Sequence, residues 1–337
     1  MKRNENMKLT KKLPALVLAL VMCLALASCG GNNASNDGDS SKHYTIGICQ
    51  LVQHDALDAA TQGFQDAVVA GLGEENVTFD LQNAQGDPAT CSTIATGFVA
   101  NSYDLIMANA TPALQAAVSA TTEIPILGTS VTDYGEALSD KDLDPAAGTG
   151  INVSGTSDGV PAQLYVDMVK DLVPDAQNIS ILYCSAEANS VLQADQFTEI
   201  ATQEGFSVSP YPFADANDIQ SVVTAAVADA DVLYIPTDNT AASNMTIVAG
   251  VTEPAGIPVI CGEENMMANG GLATVSISYY DIGYECGKQA VEILANGADV
   301  STLPIGYAAD PVKEYNPEYA EAIGFTVPDG YTAYVAE

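Results

Sequence analysis

The dominant feature of this sequence is a regular alternation of short apolar runs with longer amphipathic stretches. The apolar runs are almost continuously hydrophobic, which is typical of parallel strands buried on both faces. The longer stretches have helical periodicity, and Pro112 and Pro161 suit the first turn of a helix. This order predicts a doubly wound α/β architecture. We expect strands at 44–50, 77–82, 104–108, 125–128, 178–184, 206–211, 231–235, 258–261 and 272–277, and helices at 55–72, 87–101, 112–121, 159–172, 189–204, 216–228, 240–254, 279–296 and 316–323.

An internal repeat divides this alternation into two halves. Residues 104–108 (DLIMA) correspond to 231–235 (DVLYI), and an Ile-Pro pair precedes the next apolar run in each half. Thr111 and Asp238 each lie seven residues after the Asp that opens the repeated run. Each half has about a hundred residues, which is an ordinary size for a domain. The repeat therefore predicts two similar α/β lobes.

Two such lobes facing each other would form a ligand-binding cleft. Ligands of open α/β sheets bind beyond the carboxyl ends of the strands, where helix N-termini offer free N–H groups and a partial positive charge. No arginine follows Arg3, so no guanidinium group can hold an anionic ligand in the body of the chain. We therefore expect backbone N–H groups, hydroxyls or one of the five later lysines to hold any carboxylate.

The charge of the chain excludes one large class of partners. The 337 residues have a formal net charge of −33, and five of the ten basic residues lie before residue 13. The rest of the surface is therefore more acidic still. Such a surface repels phosphate backbones, which excludes nucleic acid as a partner. The hydrophobic content of 47% excludes a chain that is disordered throughout.

The N-terminus has the layout of an export signal. Residues 1–12 are basic and residues 13–27 are apolar, a run shorter than a membrane span needs. The run ends in LASCG (26–30), which resembles a bacterial lipoprotein signal and implies cleavage before Cys29 and a lipid anchor on Cys29. The alternative is a secretory peptide in which Cys29 is incidental. We predict a signal peptide over 1–28 and a flexible tether over 29–42.

The sequence contains no signature of catalysis or of a metal site. The other cysteines after Cys29 match no zinc-binding spacing, and we interpret them as small buried hydrophobic residues. Nucleophile-elbow, dinucleotide-binding and phosphate-loop motifs are absent. We therefore predict no catalytic residue, no metal and no cofactor. An exported α/β enzyme remains the less favoured alternative, beside a lipid-tethered adhesin or interaction protein. The cysteines concerned are Cys49, Cys91, Cys184, Cys261 and Cys286.

Seven phrases of the chain, in this order, resemble the ABC-type aromatic-amino-acid (TrpX-like) substrate-binding family. The resemblance covers about Tyr44 to Phe325 and implies a type I periplasmic-binding fold, whose lobes close over a ligand about a three-crossing hinge. The phrases are HDALDAATQGF (54–64), NAQGDPAT (83–90), NATPALQAA (109–117), GTSD (155–158), SAEANS (185–190), PTDNTAAS (236–243) and SYYDIGYECGKQA (278–290).

The resemblance also implies an organisation and a function. We expect lobe 1 to comprise 44–154 with 279–305, and lobe 2 to comprise 155–278 with 306–337. The implied function is that of a monomeric, lipid-anchored extracytoplasmic component of an ABC importer. Its expected partners are the membrane permease and a small amino-acid-like solute, with tyrosine, phenylalanine or tryptophan as the best candidates.

Ten residues near the expected strand ends are candidate ligand contacts, and each has a purely structural alternative. Asp238 either pairs with a ligand ammonium group or caps a helix. Thr111, together with the Ala110 backbone, either binds a ligand carboxylate or caps a helix. Asn189 and Ser190 open the corresponding helix of the second lobe, with the same alternative for Asn189.

The remaining candidates lie at the hinge and in the first strand-end loop. Ser157 and Asp158 either contact the ligand or form the hinge turn. Gln53 closes that first loop together with His54, which either covers a ligand ring or starts a helix. Tyr279 either stacks on an aromatic ligand or packs between the lobes. Glu263 and Glu264 follow the run at 258–261; either one of them reaches the cleft or, as the favoured interpretation, both belong to a solvated loop.

Overall fold

The structure is a computed structural model that describes residues 42–308 and 311–335. The predicted signal peptide (1–28), Cys29 and all of the predicted tether except Lys42 lie outside the described residues. Among the helices that are described, none has the length and apolarity required to cross a bilayer.

The described residues alternate strand and helix, as the sequence predicts. The strands are β1 (Tyr44–Gln50), β2 (Val77–Asn83), β3 (Leu105–Asn109), β4 (Ile126–Val131), β5 (Val153–Ser157), β6 (Asn178–Cys184), β7 (Ser207–Phe213), β8 (Val232–Ile235), β9 (Val259–Cys261), β10 (Ala273–Ser276), β11 (Gly306–Tyr307), β12 (Val312–Tyr315) and β13 (Thr332–Ala333). The helices are α1 (Asp55–Leu72), α2 (Pro88–Ala100), α3 (Thr111–Ala120), α4 (Tyr134–Ala137), α5 (Ala162–Leu172), α6 (Ala188–Gln203), α7 (Ile219–Ala226), α8 (Asn239–Ala242), α9 (Met245–Ala255), α10 (Glu264–Ala268), α11 (Tyr279–Asn296) and α12 (Pro317–Ala322).

The strands form two sheets, and this confirms the predicted fold class. The first sheet has the order β11-β5-β4-β3-β1-β2, and every pairing in it is parallel. The second has the order β13-β12-β10-β9-β8-β6-β7, in which β12 runs antiparallel to β10. We call the first sheet with its helices, including α11, the first lobe, and the second sheet with its helices the second lobe.

The structure contains elements that periodicity did not predict. β5 (VSGTS) and β11 are short and carry few branched apolar residues, so they lack the apolar run that identifies a buried strand. The stretch predicted as one helix over 240–254 is two, α8 and α9, separated at Ser243 and Asn244. The Asn244 side chain donates to the Thr240 carbonyl at 2.8 Å, which ends α8.

The expected lobe boundaries differ from the sheet membership by a few residues. We expected the second lobe to begin at 155 and to resume at 306. Backbone pairing instead joins Gly155 to Gly128 of β4 and Gly306 to Thr156 of β5, so 155–157 and 306–307 belong to the first sheet. The chain thus leaves the first sheet after Ser157 and again after Tyr307.

Helix α11 brings the chain back to the first lobe because it packs directly against α1. A Cβ atom at Gly283 would lie 2.0 Å from the Ala60 carbonyl oxygen, and one at Gly63 would lie 2.1 Å from the Tyr280 carbonyl oxygen. The two helix backbones are therefore in contact, which fixes Tyr279, the first residue of α11, beside the hinge.

The interior is apolar on both sheets, and the cysteines belong to it. Cys49, Cys91, Cys184, Cys261 and Cys286 are all buried and free in the described structure. The interpretation of these residues as buried hydrophobic residues is confirmed.

Candidate functional site

The loops at the carboxyl ends of the two sheets meet between the lobes. His54 follows β1, and its Nε2 lies 3.2 Å from Oδ1 of Asn239, which follows β8. Tyr279 donates its hydroxyl to Oδ2 of Asp158 at 2.8 Å. Asp158 directly follows β5, so this second contact joins two segments of the hinge. The two contacts place strand-end loops of both lobes on one cleft.

A small chamber lies at these contacts, and its volume of about 10 Å³ is roughly the space that one water molecule needs. Its described lining contains three acids and neither Lys nor Arg. Four of the sequence-predicted site residues are therefore brought together here: His54, Asp158, Asp238 and Tyr279. The full lining is His54, Leu57, Asp158, Thr237, Asp238, Asn239, Ala242, Glu263 and Tyr279.

The first lobe presents buried hydroxyls that have no partner. Thr111 is the first residue of α3, and it is 2% exposed, yet its Oγ1 makes no hydrogen bond. Ser130, near the end of β4, is also buried with an unpartnered hydroxyl. Since no side chain caps α3, the alternative of Thr111 as a cap is wrong. A role of its hydroxyl in binding a ligand stays a prediction.

Ala110, the residue before α3, has an unusual backbone conformation. Its φ of +92° lies in a region that residues with a Cβ rarely adopt. Such strain is typical of functional sites. The Ala110 N–H donates to Thr129 and its carbonyl accepts from Leu114. Contrary to our expectation, both backbone groups of Ala110 are engaged within the lobe, and the residue orients α3 instead of offering a bond to the ligand.

In the second lobe, the candidate residue with an unpartnered buried atom is Asn189. Asn189 lies in the first turn of α6, donates its Nδ2 to the Thr237 carbonyl at 2.8 Å and leaves Oδ1 without a partner. The helix has Glu187 as its N-cap residue, so Asn189 is not a cap. The hydroxyl of Ser190 reaches the same Thr237 carbonyl at 3.4 Å. Both residues therefore position the loop that follows β8.

Asp238 is a helix cap. Its Oδ1 accepts from the Ala241 N–H at 2.8 Å, and its Oδ2 accepts from the Cys184 N–H at 2.5 Å. Complete burial and the neighbouring Glu187 carboxyl raise the pKa of Asp238, against these two hydrogen bonds. A second role in pairing with a ligand ammonium stays a prediction.

The hinge residues divide their tasks. Ser157 donates its hydroxyl to the Thr132 carbonyl and accepts from the Gly159 N–H, which forms the hinge turn. Asp158 is 4% exposed, and its Oδ1 has no partner. Burial raises the pKa of Asp158, although the hydroxyls of Tyr279 and Thr132 oppose the shift. Tyr279 also packs in a small apolar cluster.

The first strand-end loop contributes one of its two candidates. His54 is the N-cap residue of α1 without a side-chain cap bond, and its Nδ1 is buried without a partner. Burial lowers the pKa of His54 below its usual 6.5, so the ring is neutral at pH 7. Gln53 is exposed and donates to Asp58 at 3.3 Å, and it does not line the chamber.

Sequence reasoning missed two buried acids. The interpretation of Glu263 as part of a solvated loop is wrong, because it is 3% exposed and lines the chamber. Burial raises the pKa of Glu263 to about 7. Glu187 accepts four hydrogen bonds from Asn239 and Thr240 and holds the start of α8. Both acids follow buried strands by a few residues, as Asp238 does, and that position was the available signal.

The described residues offer no alternative centre for a metal ion. Over 42–308 and 311–335, no group of three or more His, Cys, Asp or Glu side chains is arranged to hold one. The described acids of the chamber are instead held by backbone N–H groups and one phenol.

Two lobes with a closed cleft between them are the architecture of a solute-binding protein, and the comparisons with known proteins agree. Residues 45–337 match the family described as ABC transporter substrate binding protein. The chain belongs to this family, whose members bind solutes outside the cytoplasm and work with ABC permeases. It is a family of binding proteins and not of enzymes, so the enzyme alternative is set aside.

Among individual relatives, the chain is 39% identical to the tyrosine-binding protein of Clostridioides difficile strain R20291, over 88% of this chain and 87% of that one. It is 32% identical to a Streptococcus pneumoniae ABC domain solved in complex with L-Trp, with a TM-score of 0.82 over 87% of this chain and all of that one. A ligand-free, open substrate-binding protein with adhesive properties from Clostridium difficile is 37% identical, with a TM-score of 0.64 over the same shares.

These two structures differ in how well they superpose on the present one. The chain is more identical in sequence to the open, ligand-free protein, yet its structure superposes better on the L-Trp complex. The His54–Asn239 contact joins the two lobes directly.

Proposed function

We propose that this protein captures a free aromatic amino acid, tyrosine or tryptophan foremost, in the cleft and presents it to an ABC permease. One relative is called a tyrosine-binding protein and one similar structure holds L-Trp. An amino acid would complete the closed form by contacts to both lobes, and so would shift the population towards closure.

The observation that carries this proposal is a set of buried, unpartnered polar atoms near the carboxyl ends of strands in both lobes. Thr111 Oγ1 and Ser130 Oγ belong to the first lobe, Asn189 Oδ1 to the second and Asp158 Oδ1 to the hinge. A buried polar group without a hydrogen bond costs about 1–3 kcal/mol. A ligand with a carboxylate and an ammonium group supplies both the acceptors and the donors that these atoms lack.

The carboxylate of the ligand fits best at the start of α3. The first N–H groups of a helix have no acceptor within it and carry a partial positive charge. Thr111 and Ser130 add hydroxyl donors at this corner. The chain has no arginine after Arg3 to compete for that role.

The side chain of the ligand fits a second interlobe cavity of about 250 Å³. Apolar groups face it from both lobes, including Leu51, Pro88 and Pro112 on one side and Ala186 and Ala214 on the other. Polar groups such as Glu187 and Thr240 line part of the same wall. An apolar ring with one polar substituent suits such a lining.

The proposal is tested by a thermal-shift screen of the protein against the twenty amino acids, followed by calorimetry. Ligand at a hundred times its Kd should stabilise the protein by about 2.7 kcal/mol. We expect tyrosine, tryptophan or phenylalanine to raise the melting temperature most. A screen in which none of the twenty has an effect would contradict the proposal.

We also propose that the mature chain is monomeric and is held at the outer face of the cell membrane by acylation of Cys29. The LASCG motif supports this site, and two or more acyl chains give a stable anchor. Replacing Cys29 by Ser should release the protein from the membrane fraction. A variant that stays membrane-bound would show that the anchor lies elsewhere.

Adhesion is a second candidate function, because one similar solved protein has adhesive properties. The Cys29→Ser variant tests this as well. Cells whose copy is released should lose adhesion if the tethered protein mediates it, whereas unchanged adhesion would remove this candidate.

A further inference from the structure

We infer that the chamber is the subsite for the ligand's ammonium group, and that Asp158, and not Asp238, is its counter-ion. This inference rests on the proposed function, and it places the positive end of the amino acid on the hinge instead of on the repeat-related corner of the second lobe.

The three acids of the chamber differ in how many oxygens remain free. Asp238 has both oxygens occupied by backbone N–H groups of its own lobe. Glu263 is occupied in the same way, by the N–H groups of Asn265 at 2.7 Å and Met266 at 2.6 Å. Asp158 is the acid of the chamber with a buried oxygen, Oδ1, that has no hydrogen-bond partner in the described structure.

The charges around Asp158 would favour a bound cation. The described lining supplies no Lys or Arg, and it adds two more acids. His54 is held neutral by burial, which lowers its pKa. A buried carboxylate with no positive partner is unfavourable. An ammonium group would provide both the charge and the N–H donor that Oδ1 lacks.

The size and position of the chamber suit an ammonium group better than a ring. Its volume is about 10 Å³, against about 250 Å³ for the apolar cavity nearby. Both cavities are bounded by the start of α8, through Asn239 in one and Thr240 in the other. An amino acid can therefore place its two ends in different cavities.

The site also explains how binding is communicated to the hinge. Asp158 begins the first crossing after β5, and Tyr279 begins α11 after the crossing from β10. Their hydrogen bond ties these two crossing segments together. A ligand ammonium on Oδ1 would bind the same carboxylate from the other side, and so would stabilise the hinge in its closed geometry.

The test uses the full chain and compares L-tyrosine with 3-(4-hydroxyphenyl)propionate, which lacks only the amino group. The same comparison is made for L-tryptophan and indole-3-propionate. Calorimetry should show that the wild type prefers each amino acid at least thirtyfold. Asp158→Asn should abolish most of that preference, because it weakens binding of the amino acid and leaves the affinity for the analogue nearly unchanged.

Three further variants complete the test. Asp104→Asn is the matched control, since it makes the same change at the far end of β3, and it should keep the preference. Tyr279→Phe keeps the ring but removes the hydrogen bond to Asp158. It should lower the affinity for the amino acid three- to tenfold without changing the affinity for the analogue. It serves as an independent arm if Asp158→Asn folds poorly. Asp238→Asn tests the competing assignment, in which Asp238 is the counter-ion of the ammonium group.

The outcomes separate this inference from the proposed function. If Asp158→Asn keeps the preference, or if Asp238→Asn alone loses it, the ammonium does not bind at Asp158 and the inference is overturned. If the wild type binds none of the amino acids, the proposed function fails and the inference fails with it.

Discussion

The two lobes use the repeated segment in the same way at one end of the sheet and in different ways at the other. At the amino end, Asp104 before β3 accepts from the Thr45 N–H at 2.8 Å. Asp231 before β8 accepts from the N–H groups of Gln177 and Asn178. In both lobes this Asp fastens the neighbouring strand, so the role of the repeat is structural there.

Seven residues later the two lobes diverge. Thr111 begins a helix with no side-chain cap and leaves its hydroxyl unpartnered. Asp238 caps a short helix and has both oxygens occupied. The difference teaches that a repeat brings equivalent residues to the same edge of a sheet, but the local hydrogen bonds decide which of them is free for a ligand.

The largest expected effect is a difference in stability between variants at Asp238 and at Thr111. Asp238→Ala leaves two buried N–H groups without an acceptor, and it should lower the free energy of unfolding by about 3 kcal/mol. Thr111→Ala removes a hydroxyl that has no partner, and it should change stability by less than about 0.5 kcal/mol. Urea denaturation measures both, and equal losses would break the comparison.

The pH dependence of stability should come from the acidic side of the cleft. Burial raises the pKa of Glu263 to about 7 from its usual 4.5. A raised carboxyl pKa gives stability that is present at pH 5 and lost as the pH rises through 7. The expected loss between pH 5 and pH 8 is about 2 kcal/mol.

Other buried groups in the same cleft modify this pH dependence. Asp158 and Asp238 act in the same direction as Glu263, because their pKa values are also raised. His54 opposes them on the acid side, because its pKa is lowered. Glu263→Gln should flatten the curve of unfolding free energy against pH, and an unchanged curve would remove Glu263 as its source.

Ligand affinity should respond at the first-lobe corner. Thr111→Val keeps the shape of the side chain and removes the hydroxyl, so it should weaken amino-acid binding about tenfold, or about 1.4 kcal/mol, through one lost hydrogen bond. Thr93→Val on α2 is the matched control, since that exposed hydroxyl bonds within its own helix. Calorimetry that finds the same Kd for Thr111→Val and wild type would take Thr111 out of the site.

The smallest effects should come from the hydrogen bonds that the two lobes share at the amino ends of β3 and β8. Asp104→Asn and Asp231→Asn each weaken hydrogen bonds near the surface, and each should cost about 0.5–1 kcal/mol. Amino-acid affinity should be unchanged in both variants. Thermal melting measures the stabilities, and a much larger loss in one variant would show that the two amino ends are not equivalent.

Much of the fold could be predicted because its signals are local. All nine predicted strands exist within a few residues, and so do the predicted helices except that the one over 240–254 is two, since buried parallel strands and amphipathic helices have distinct periods. β5 could not be predicted in this way, because a short strand of Ser, Gly and Thr carries no apolar run. The lobe boundaries shifted for the same reason.

The candidate site was predictable in position but not in the state of its groups. Ten residues were expected near the strand ends, and His54, Asp158, Asp238 and Tyr279 do line one chamber. Gln53 and Ala110 show the limit of that reasoning, because one side chain turns outward to Asp58 and the other residue uses its backbone within the lobe. Side-chain direction and hydrogen-bond occupancy depend on neighbours that are distant in the chain.

The amino-acid order alone predicted the two α/β lobes, the acidic body of the chain with no arginine after Arg3, an export signal, and the edge of each sheet as the place for a ligand. These properties depend on periodicity, composition and short motifs. Only the tertiary structure decided which buried acids keep a free oxygen. Asp158 and Tyr279 are 121 residues apart in the chain, and their contact exists because both hinge segments pass the same point. That contact distinguishes a carboxylate available to a ligand from one, such as Asp238, already committed to holding the fold.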